Sequence, residues 1–242
     1  MFFKVPMQVN YFDCDQNNRM KLSAVMRYMQ ETSSEHLEAI HVPTQKLADE
    51  HMVFLLTKSC MKIERMPQCR EPILIGTAAV AIRGVRFVRE FVVDTPKGER
   101  LVSAMTLWVL VDPASRRIIR PKSFPYPLPL QPSTLEDIID DLPIPKALTT
   151  GEAHSDVQIR YSHLDVNAHV NNACYGDFVC DALPFEELIT QGLDTVAILF
   201  QHEARRGETL QISTSALGER RYYVGGLHPD ASVCFEAYAS LK

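Results

Sequence analysis

Three residues that could support proton transfer, Asp165, Asn167 and His169, occupy alternate positions in the stretch HLDVNAHVNNA. In an extended segment, residues two apart point the same way, so this spacing predicts that the three side chains share one cleft. An imidazole exchanges protons near neutral pH, a carboxylate can orient it, and an amide donates hydrogen bonds. A helix expected to begin near Val170 would add free backbone N–H groups, which favour negative charge. The stretch therefore predicts a site for acid–base chemistry.

The same residues also have ordinary structural roles. An Asp-x-Asn sequence before a helix commonly forms a turn or an N-cap, and that role explains Asn171 and Asn172 best. An isolated histidine such as His169 is more often a surface or core residue than a catalytic one. The catalytic interpretation therefore depends on the rest of the chain.

The stretch belongs to an internal repeat. The sequence YFDCDQNNRMKLS begins at Tyr11, and YSHLDVNAHVNNA begins 150 positions later. Arg19 stands at the position of His169, so the first copy keeps the polar pattern but lacks the imidazole. A repeat of this length indicates two related structural units. The aligned pairs are Tyr11 with Tyr161, Asp15 with Asp165, and Asn17 with Asn167.

Each copy is followed by the same predicted order of elements, one helix and then a set of strands. Helical spacing of apolar residues runs from Leu22 to Leu37 and from Cys174 to Leu183, where Pro184 stops it. One helix followed by a set of antiparallel strands predicts an α+β fold, in which the sheet buries the helix that lies on it. Alternating patterns predict strands at about 53–65, 72–82, 85–94 and 101–111, and at about 194–203, 208–217, 220–227 and 231–238.

A proline-rich segment separates the two copies. Seven of the 15 prolines fall between positions 121 and 145, which predicts an extended and semi-rigid connection. The sequence STLEDIIDD inside it is compatible with one or two capped helical turns. We therefore expect an N-terminal unit over 1–120, a linker over 121–150 and a C-terminal unit over 151–242.

The composition excludes several classes of protein. The net charge of −5 lacks the basic excess of a nucleic-acid-binding protein, and the apolar runs are too short for a membrane helix. The six cysteines show no CxxC pair and are expected to be reduced thiols. With no signal or transit segment recognised, we expect a cytoplasmic protein. No metal-ligand spacing, cofactor motif or G-x-S-x-G element is present in the sequence.

The order of elements resembles two tandem hotdog units, each an antiparallel sheet wrapped around a long helix. The Asp-x-Asn-x-His-Val-Asn-Asn sequence of residues 165–172 resembles the acyl-acyl-carrier-protein thioesterases of plants and bacteria. That family has a glutamate on a strand at a similar distance, and Glu203 stands 38 residues after Asp165 in ILFQHEARRGETL. Residues 28–40 and the SRRIIRP sequence also resemble the family. Plant members have a cysteine after the glutamate, whereas this chain has Ala204.

The resemblance implies hydrolysis of fatty acyl-acyl-carrier-protein thioesters, which releases free fatty acid and terminates chain elongation. It assigns catalysis to Asp165, Asn167, His169 and Glu203. The leaving thiolate has a parent pKa of about 8.5, so the reaction chiefly needs an activated water and oxyanion donors. Either Glu203 or His169 could be the base. An acyl-CoA thioesterase and a non-catalytic acyl-binding module are the alternative functions.

The first copy lacks the imidazole and the strand carboxylate of the second. Arg19 replaces His169, and Val53 stands at the strict offset from Glu203. We therefore expect the N-terminal unit to bind the acyl chain and the C-terminal unit to be catalytic. Flexible thioethers and aromatic rings suit an irregular apolar cavity. The candidate substrate-binding residues are Met26, Met29 and Phe54.

The first predicted helix carries a second candidate site. Some hotdog thioesterases place a catalytic carboxylate on this helix, and Glu31 and His36 are the ionisable pair available here. The same helix could instead make hydrogen bonds to the neighbouring unit.

The expected macromolecular partner is an acyl carrier protein that carries a fatty acyl thioester. Such carriers are acidic, so basic groups near the cleft would steer them. Nucleic acid and membrane are not expected partners, and the chain is expected to be a monomer or a homodimer. The candidate docking clusters are Arg83, Arg86 and Arg89; Arg116, Arg117, Arg120 and Lys122; and Arg205 with Arg206.

Overall fold

The alternating patterns form one continuous antiparallel sheet in the computed structural model, which describes residues 2–136, 138 and 153–242. Along the sheet the strands follow the order β1-β3-β4-β5-β2-β8-β11-β10-β9-β7, and β6 pairs with β5. The described strands are β1 (Phe3–Gln8), β2 (Val53–Ile63), β3 (Pro72–Arg83), β4 (Arg86–Asp94), β5 (Arg100–Asp112), β6 (Arg117–Ile119), β7 (Ala153–Gln158), β8 (Leu193–Phe200), β9 (Thr209–Gly218), β10 (Arg221–Leu227) and β11 (Val233–Leu241).

The two halves of this sheet repeat the same strand order and meet edge to edge. Strand β2 of the first half pairs antiparallel with β8 of the second, with Ser59 opposite Ile198 and Cys60 opposite Ala197. These four residues are at most 1% exposed, so the seam between the halves is part of the core. The predicted α+β fold with two hotdog units is therefore confirmed, and each unit covers the sheet edge of the other.

Helices lie on one face of the sheet. The first, α1 (Leu22–Ala39), buries Val25, Met26 and Met29, and a short α2 (Thr44–Asp49) follows it. In the second unit α3 (Cys174–Ala182) has 9 residues against 18 in α1, and a separate α4 (Phe185–Gln191) continues the chain. Pro184 forces Leu183 into an extended conformation, so α3 ends within one residue of the predicted limit and is shorter than α1.

The two principal helices approach each other closely at Gly176. A Cβ atom placed there would lie 3.0 Å from the sulfur of Met26 and 3.2 Å from the backbone nitrogen of Ser23. Glycine therefore permits a contact between α1 and α3 that a larger residue would obstruct. This contact brings the start of α3 beside the apolar face of α1.

The described part of the linker crosses the opposite face of the sheet. The N–H of Gln131 donates to the carbonyl of Ala79, and Ser133 donates to the buried carboxylate of Glu90 at 2.7 Å. Ile138 packs with Cys60, Val88 and Met105 against that face. Of the residues 133–141 in which helical turns are predicted, 133–136 are not helical, and 137 and 139–141 lie outside the described residues.

Two further features bear on the sequence predictions. Among the described residues, no helix combines the length and apolar character needed to cross a bilayer. The six cysteines all fall within the described part of the chain and are free thiols.

Candidate active site

Residues 164–170 form a tight turn. Leu164 bridges to Val170, and the N–H of Asp165 donates to the carbonyl of His169 at 3.0 Å. A carboxylate oxygen of Asp165 accepts the backbone N–H of Asn167 at 2.8 Å, and Ala168 has a left-handed φ of 61°. The predicted extended segment with three parallel side chains is therefore wrong, because this side-chain hydrogen bond and the Ala168 conformation reverse the chain.

The turn brings Asp165 and His169 together. Nδ1 of His169 lies 3.8 Å from the Asp165 carboxylate and 3.3 Å from the carbonyl oxygen of Val170. A carbonyl only accepts hydrogen bonds, so this contact assigns the proton of a neutral imidazole to Nδ1. Nε2 then carries the free lone pair. Both side chains are less than a fifth exposed, so solvent only partly screens their interaction.

Glu203 follows β8, on a segment that runs beside His169. The N–H of Val170 donates to the carbonyl of Ala204 at 2.9 Å, and His169 bridges to Arg205. Ala204 is fully buried, so the alternating side chains of Glu203 and Arg205 project outward on the side of His169. The Glu203 carboxylate lies 3.5 Å from the Arg205 guanidinium. Among the described residues, Glu203 makes no hydrogen bond to the other three predicted catalytic residues.

Asn167 opens onto a cavity of about 390 Å³ between the two units. Val166 and Asn167 line it from the second unit, Leu128 lines it from the linker, and the remaining walls come from the first unit, chiefly α1, α2 and its strands. The side-chain amide of Asn167 has no hydrogen-bond partner among the described residues. Asn167 is therefore available to a ligand in a cavity whose walls include Leu37, Leu47, Met52, Phe54, Phe87 and Trp108.

The predicted substrate-binding residues divide between two places. Phe54 lines the large cavity and packs edge-on against Phe87, with ring centroids 5.1 Å apart. Met26 and Met29 are 6% and 4% exposed and line a narrow cleft beside Asn172. Gln30 and Trp108 line both spaces, so the narrow cleft adjoins the large cavity.

The backbone before α3 is less available for oxyanion binding than predicted. The helix begins at Cys174 rather than near Val170. The N–H groups of Val170 and Asn171 already donate to Ala204 and His163, and those of Ala173 and Cys174 donate to Asn171. Asn171 thus forms a turn immediately before the helix, one of the two roles that its sequence indicated, and these four N–H groups are already engaged.

The equivalent turn of the first copy has the same backbone but different surroundings. The N–H of Asn17 donates to the Asp15 side chain at 2.8 Å, as Asn167 does to Asp165. The Asn17 amide and the Arg19 guanidinium both donate to the carbonyl of Ile189 in α4, and Arg19 also pairs with Asp15 at 3.2 Å. The Asn17 amide and the Arg19 guanidinium are therefore engaged within the protein, and Asp15 and Arg19 border a separate cavity of about 620 Å³.

The second candidate pair does not form a site. Glu31 is exposed, whereas His36 is buried and accepts a hydrogen bond from Arg89 at 3.0 Å. Arg89 is only 6% exposed, which makes the predicted docking role of this residue wrong. Its neighbours Arg83 and Arg86 lie at the exposed end of the β3–β4 hairpin.

Comparison with known sequences identifies the family. A profile described as the acyl-ACP thioesterase N-terminal domain matches residues 1–122, and the corresponding C-terminal domain matches residues 147–232. The chain belongs to the acyl-ACP thioesterase family. Two similar relatives of this family are palmitoyl-acyl carrier protein thioesterases of Arabidopsis thaliana and Cuphea hookeriana, at 23% and 24% identity over 90% and 89% of this chain. The chain spans about half the length of these relatives, 56% and 55%.

Solved acyl-ACP thioesterase structures share the fold. The 12:0-ACP thioesterase from Umbellularia californica matches with a TM-score of 0.88 at 19% identity, over 100% of this chain and 97% of that one. An acyl-ACP thioesterase from Bacteroides thetaiotaomicron matches with a TM-score of 0.87 at 17% identity, over 100% and 98%. At these identities the similarity establishes the double hotdog architecture.

The cavity contains residues that sequence patterns did not single out as site residues. Gln30 and Trp108 line both spaces near Asn167, and Arg89 lines the large cavity. Trp108 is the single tryptophan of the chain and lies on a strand with an alternating pattern, which was the available signal. Arg89 is predicted from the sequence only as a docking residue, and nothing there indicates its place in the cavity wall, because its burial depends on α1 covering the sheet. Among the described residues, no cluster of His, Cys, Asp or Glu could hold a metal ion.

Proposed function

We propose that this protein hydrolyses fatty acyl thioesters of an acyl carrier protein, releasing a free fatty acid and ending chain elongation. The observation that carries the proposal is the position of Asn167. Its unpaired amide opens onto a largely apolar cavity from a turn that also holds the Asp165–His169 pair. A volume of about 390 Å³ falls within the range of small-molecule binding sites.

We assign the proton transfers to His169. The imidazole Nε2 takes a proton from water as the water oxygen attacks the thioester carbon. Asp165, on the Nδ1 side, stabilises the imidazolium that results. This arrangement of a base with a carboxylate that orients it is the one expected for general base catalysis.

The tetrahedral intermediate then needs hydrogen-bond donors and a route to products. The Asn167 amide donates to the oxyanion, a contribution typically worth about 10² to 10³ in rate. When the carbon–sulfur bond breaks, the thiolate leaves with the electron pair and receives the proton from the imidazolium. Glu203 accepts a hydrogen bond from the attacking water and orients it. The products are a fatty acid and the carrier thiol.

The two units have different roles in this proposal. The N-terminal unit, over residues 1–120, supplies most of the cavity and binds the acyl chain through Phe54 and neighbouring apolar residues. Met26 and Met29 line the adjoining narrow cleft and shape its apolar wall. The C-terminal unit, over residues 151–242, supplies the reacting groups.

The carrier protein docks beside the catalytic turn in this proposal. Arg205 and Arg206 are both exposed and adjoin Glu203. An acidic carrier bound there would deliver its thioester toward His169, and local basic groups can steer such a partner despite a net charge of −5.

The proposal is tested by measuring thiol release from carrier-protein thioesters with short, medium and long acyl chains, beside the matching acyl-CoAs. We expect carrier-protein turnover well above CoA turnover, with a maximum at one chain length. Activity on CoA alone would reject the carrier partner and retain the hydrolase. Failure of the folded protein to release thiol from either series would reject hydrolysis and favour an acyl-binding role. The His169→Ala variant is the background control.

A further inference from the structure

We propose that the acyl cavity selects chains that carry an oxygen function at the end remote from the thioester, and that Arg89 binds this oxygen. The inference rests on the proposed function and adds a substrate class to it. It concerns acyl chains ending in a carboxylate or hydroxyl rather than a methyl group.

The principal observation is a buried guanidinium in the wall of the cavity. Arg89 lies on β4, is 6% exposed and lines the cavity that Asn167 also lines. Its Nη1 donates to Nδ1 of His36 at 3.0 Å and to the hydroxyl of Thr77 at 3.1 Å. Because a guanidinium only donates, His36 must be unprotonated at Nδ1. Both partners of the cation are therefore neutral.

A carboxylate to balance this charge is absent from the part of the chain that the structure describes. The adjacent Glu90 points to the other face of the sheet, where Ser133 and Thr134 bind its carboxylate. The Nε and Nη2 groups of Arg89 have no hydrogen-bond partner among the described residues. Because a buried charge is costly unless it is paired, an acceptor in the cavity would relieve a real cost.

Further polar groups continue this arrangement beneath α1. Across the sheet, Arg89 lies opposite Thr106, and Thr106 lies opposite Ser59, so all three side chains face the helix. The Ser59 hydroxyl is buried and has no partner among the described residues. Ser59 and Thr106 line the narrow cleft that adjoins the cavity. The Thr106 hydroxyl is already engaged, since it donates to the carbonyl of Arg89 and accepts from the indole N–H of Trp108. A plain alkyl chain would satisfy neither the Ser59 hydroxyl nor the Arg89 guanidinium.

The placement of Arg89 suits the remote end of a chain rather than its thioester. Phe54 on β2 and Arg89 on β4 both line the cavity, and β5 lies between these strands. At a strand spacing of about 4.8 Å, the cavity extends about 10 Å across the sheet between them. Because β8 is antiparallel to β2, the segment after β8 that bridges to His169 lies at the start of β2, on the Phe54 side of the cavity. A thioester held at Asn167 would thus direct the far end of its chain toward the guanidinium.

A carboxylate should be the preferred end group. It matches the charge of the guanidinium and can accept two parallel hydrogen bonds, whereas a hydroxyl accepts with no charge. We therefore expect the order carboxylate, then hydroxyl, then methyl among chains of equal length.

The first test compares kcat/KM for three carrier-protein thioesters of equal chain length that end in methyl, hydroxyl or carboxylate. Wild-type protein should prefer the carboxylate chain over the methyl chain by about tenfold or more, the scale of one charge-assisted hydrogen bond. Arg89→Met should reverse this order, while Arg89→Lys should keep it in weaker form. Equal rates in the wild type, or a ratio that Arg89→Met leaves unchanged, would overturn the inference.

A second measurement does not depend on catalysis. Trp108 is the only tryptophan and lines the cavity, so its fluorescence can report binding of the free monocarboxylic, hydroxy and dicarboxylic acids. Tighter binding of the oxygenated acids to wild type than to Arg89→Met supports the inference, even if no thioester is cleaved. Equal affinities would overturn it, whatever the hydrolysis assay gives. Arg221→Met, at an exposed position on β10, is the matched control and should leave the order unchanged. If Arg89→Met does not fold, the wild-type order and Arg89→Lys decide the question.

Discussion

His169 and Arg19 occupy equivalent positions in two turns with the same backbone hydrogen bonds. In one turn the Asp165 carboxylate lies 3.8 Å from the imidazole, and in the other the Asp15 carboxylate lies 3.2 Å from the guanidinium. The Asp-x-Asn pattern therefore makes the turn in both copies and does not by itself identify a catalytic site. The two turns differ in the residue two positions after the asparagine, which is Arg19 in one and His169 in the other. They also differ in their contacts, since among the described residues only the first turn donates to α4.

The first prediction compares these two positions directly. Replacing His169 with alanine removes the proposed base, so kcat should fall at least about 10²-fold. Arg19→Ala, at the matched position, should change kcat no more than a few-fold. Steady-state thiol release measures both, with circular dichroism to confirm folding. Similar losses in the two variants would show that the turn matters only for structure.

The second prediction separates the two roles of Asp165. Asp165→Asn keeps an oxygen that can accept the Asn167 N–H, so the free energy of unfolding should change by less than about 1 kcal/mol. The neutral side chain no longer stabilises the imidazolium, so kcat should fall by about 10² or more. Asp15→Asn is the matched control and should retain activity. A normal kcat in Asp165→Asn would show that the negative charge of Asp165 is not needed for catalysis.

The third prediction concerns the stability of the protein in acid. Burial, followed by the charge of Arg89, lowers the pKa of His36 from 6.5 to about 4. Between these values the unfolded chain binds the proton and the folded protein does not, so stability should fall as pH decreases from 6.5 to 4. The protonation of His36 should lower the free energy of unfolding by about 3 kcal/mol in total, and this loss should not increase further below pH 4. Denaturant unfolding of His36→Gln should show a flatter profile in this window, and an unchanged profile would contradict the assignment.

The fourth prediction concerns chain length. Phe54 lines the cavity, while Phe124 packs against Phe54 at 5.6 Å without lining it. Alanine at either position should cost about 2 kcal/mol of stability, since both rings are only partly buried. Phe54→Ala alone should move the maximum of the chain-length profile toward longer chains. If Phe124→Ala moves it equally, general loosening rather than cavity volume is responsible.

Much of the fold was predictable because local patterns dictate it. The alternating residues predicted β3 and β5 to within a residue at each end, and Pro184 marked the end of α3 as expected. The turn at Asp165 was mistaken for an extended segment, because the left-handed conformation of Ala168 has no signature in its residue type. Two short helices, α2 and α4, were also missed.

The candidate site was only partly predictable, since its surroundings come from distant parts of the chain. Asn167 and Phe54 line one cavity only because β2 and β8 join the two units. The burial of Arg89 against His36, and the closure of the first turn by Ile189, likewise require the assembled structure. Residue types and spacing predicted the Asp165–His169 pair, but they do not determine such contacts.

The joined sheet also has a genetic consequence. Where two identical subunits pair about a twofold axis, a single codon change alters both members at once. Here both halves are encoded in one reading frame, so each half can change separately. The turn at Arg19 could become a structural clamp on Ile189 while the turn at His169 kept its imidazole. The seam between β2 and β8 thus joins two units of the same shape whose residues can change independently of each other.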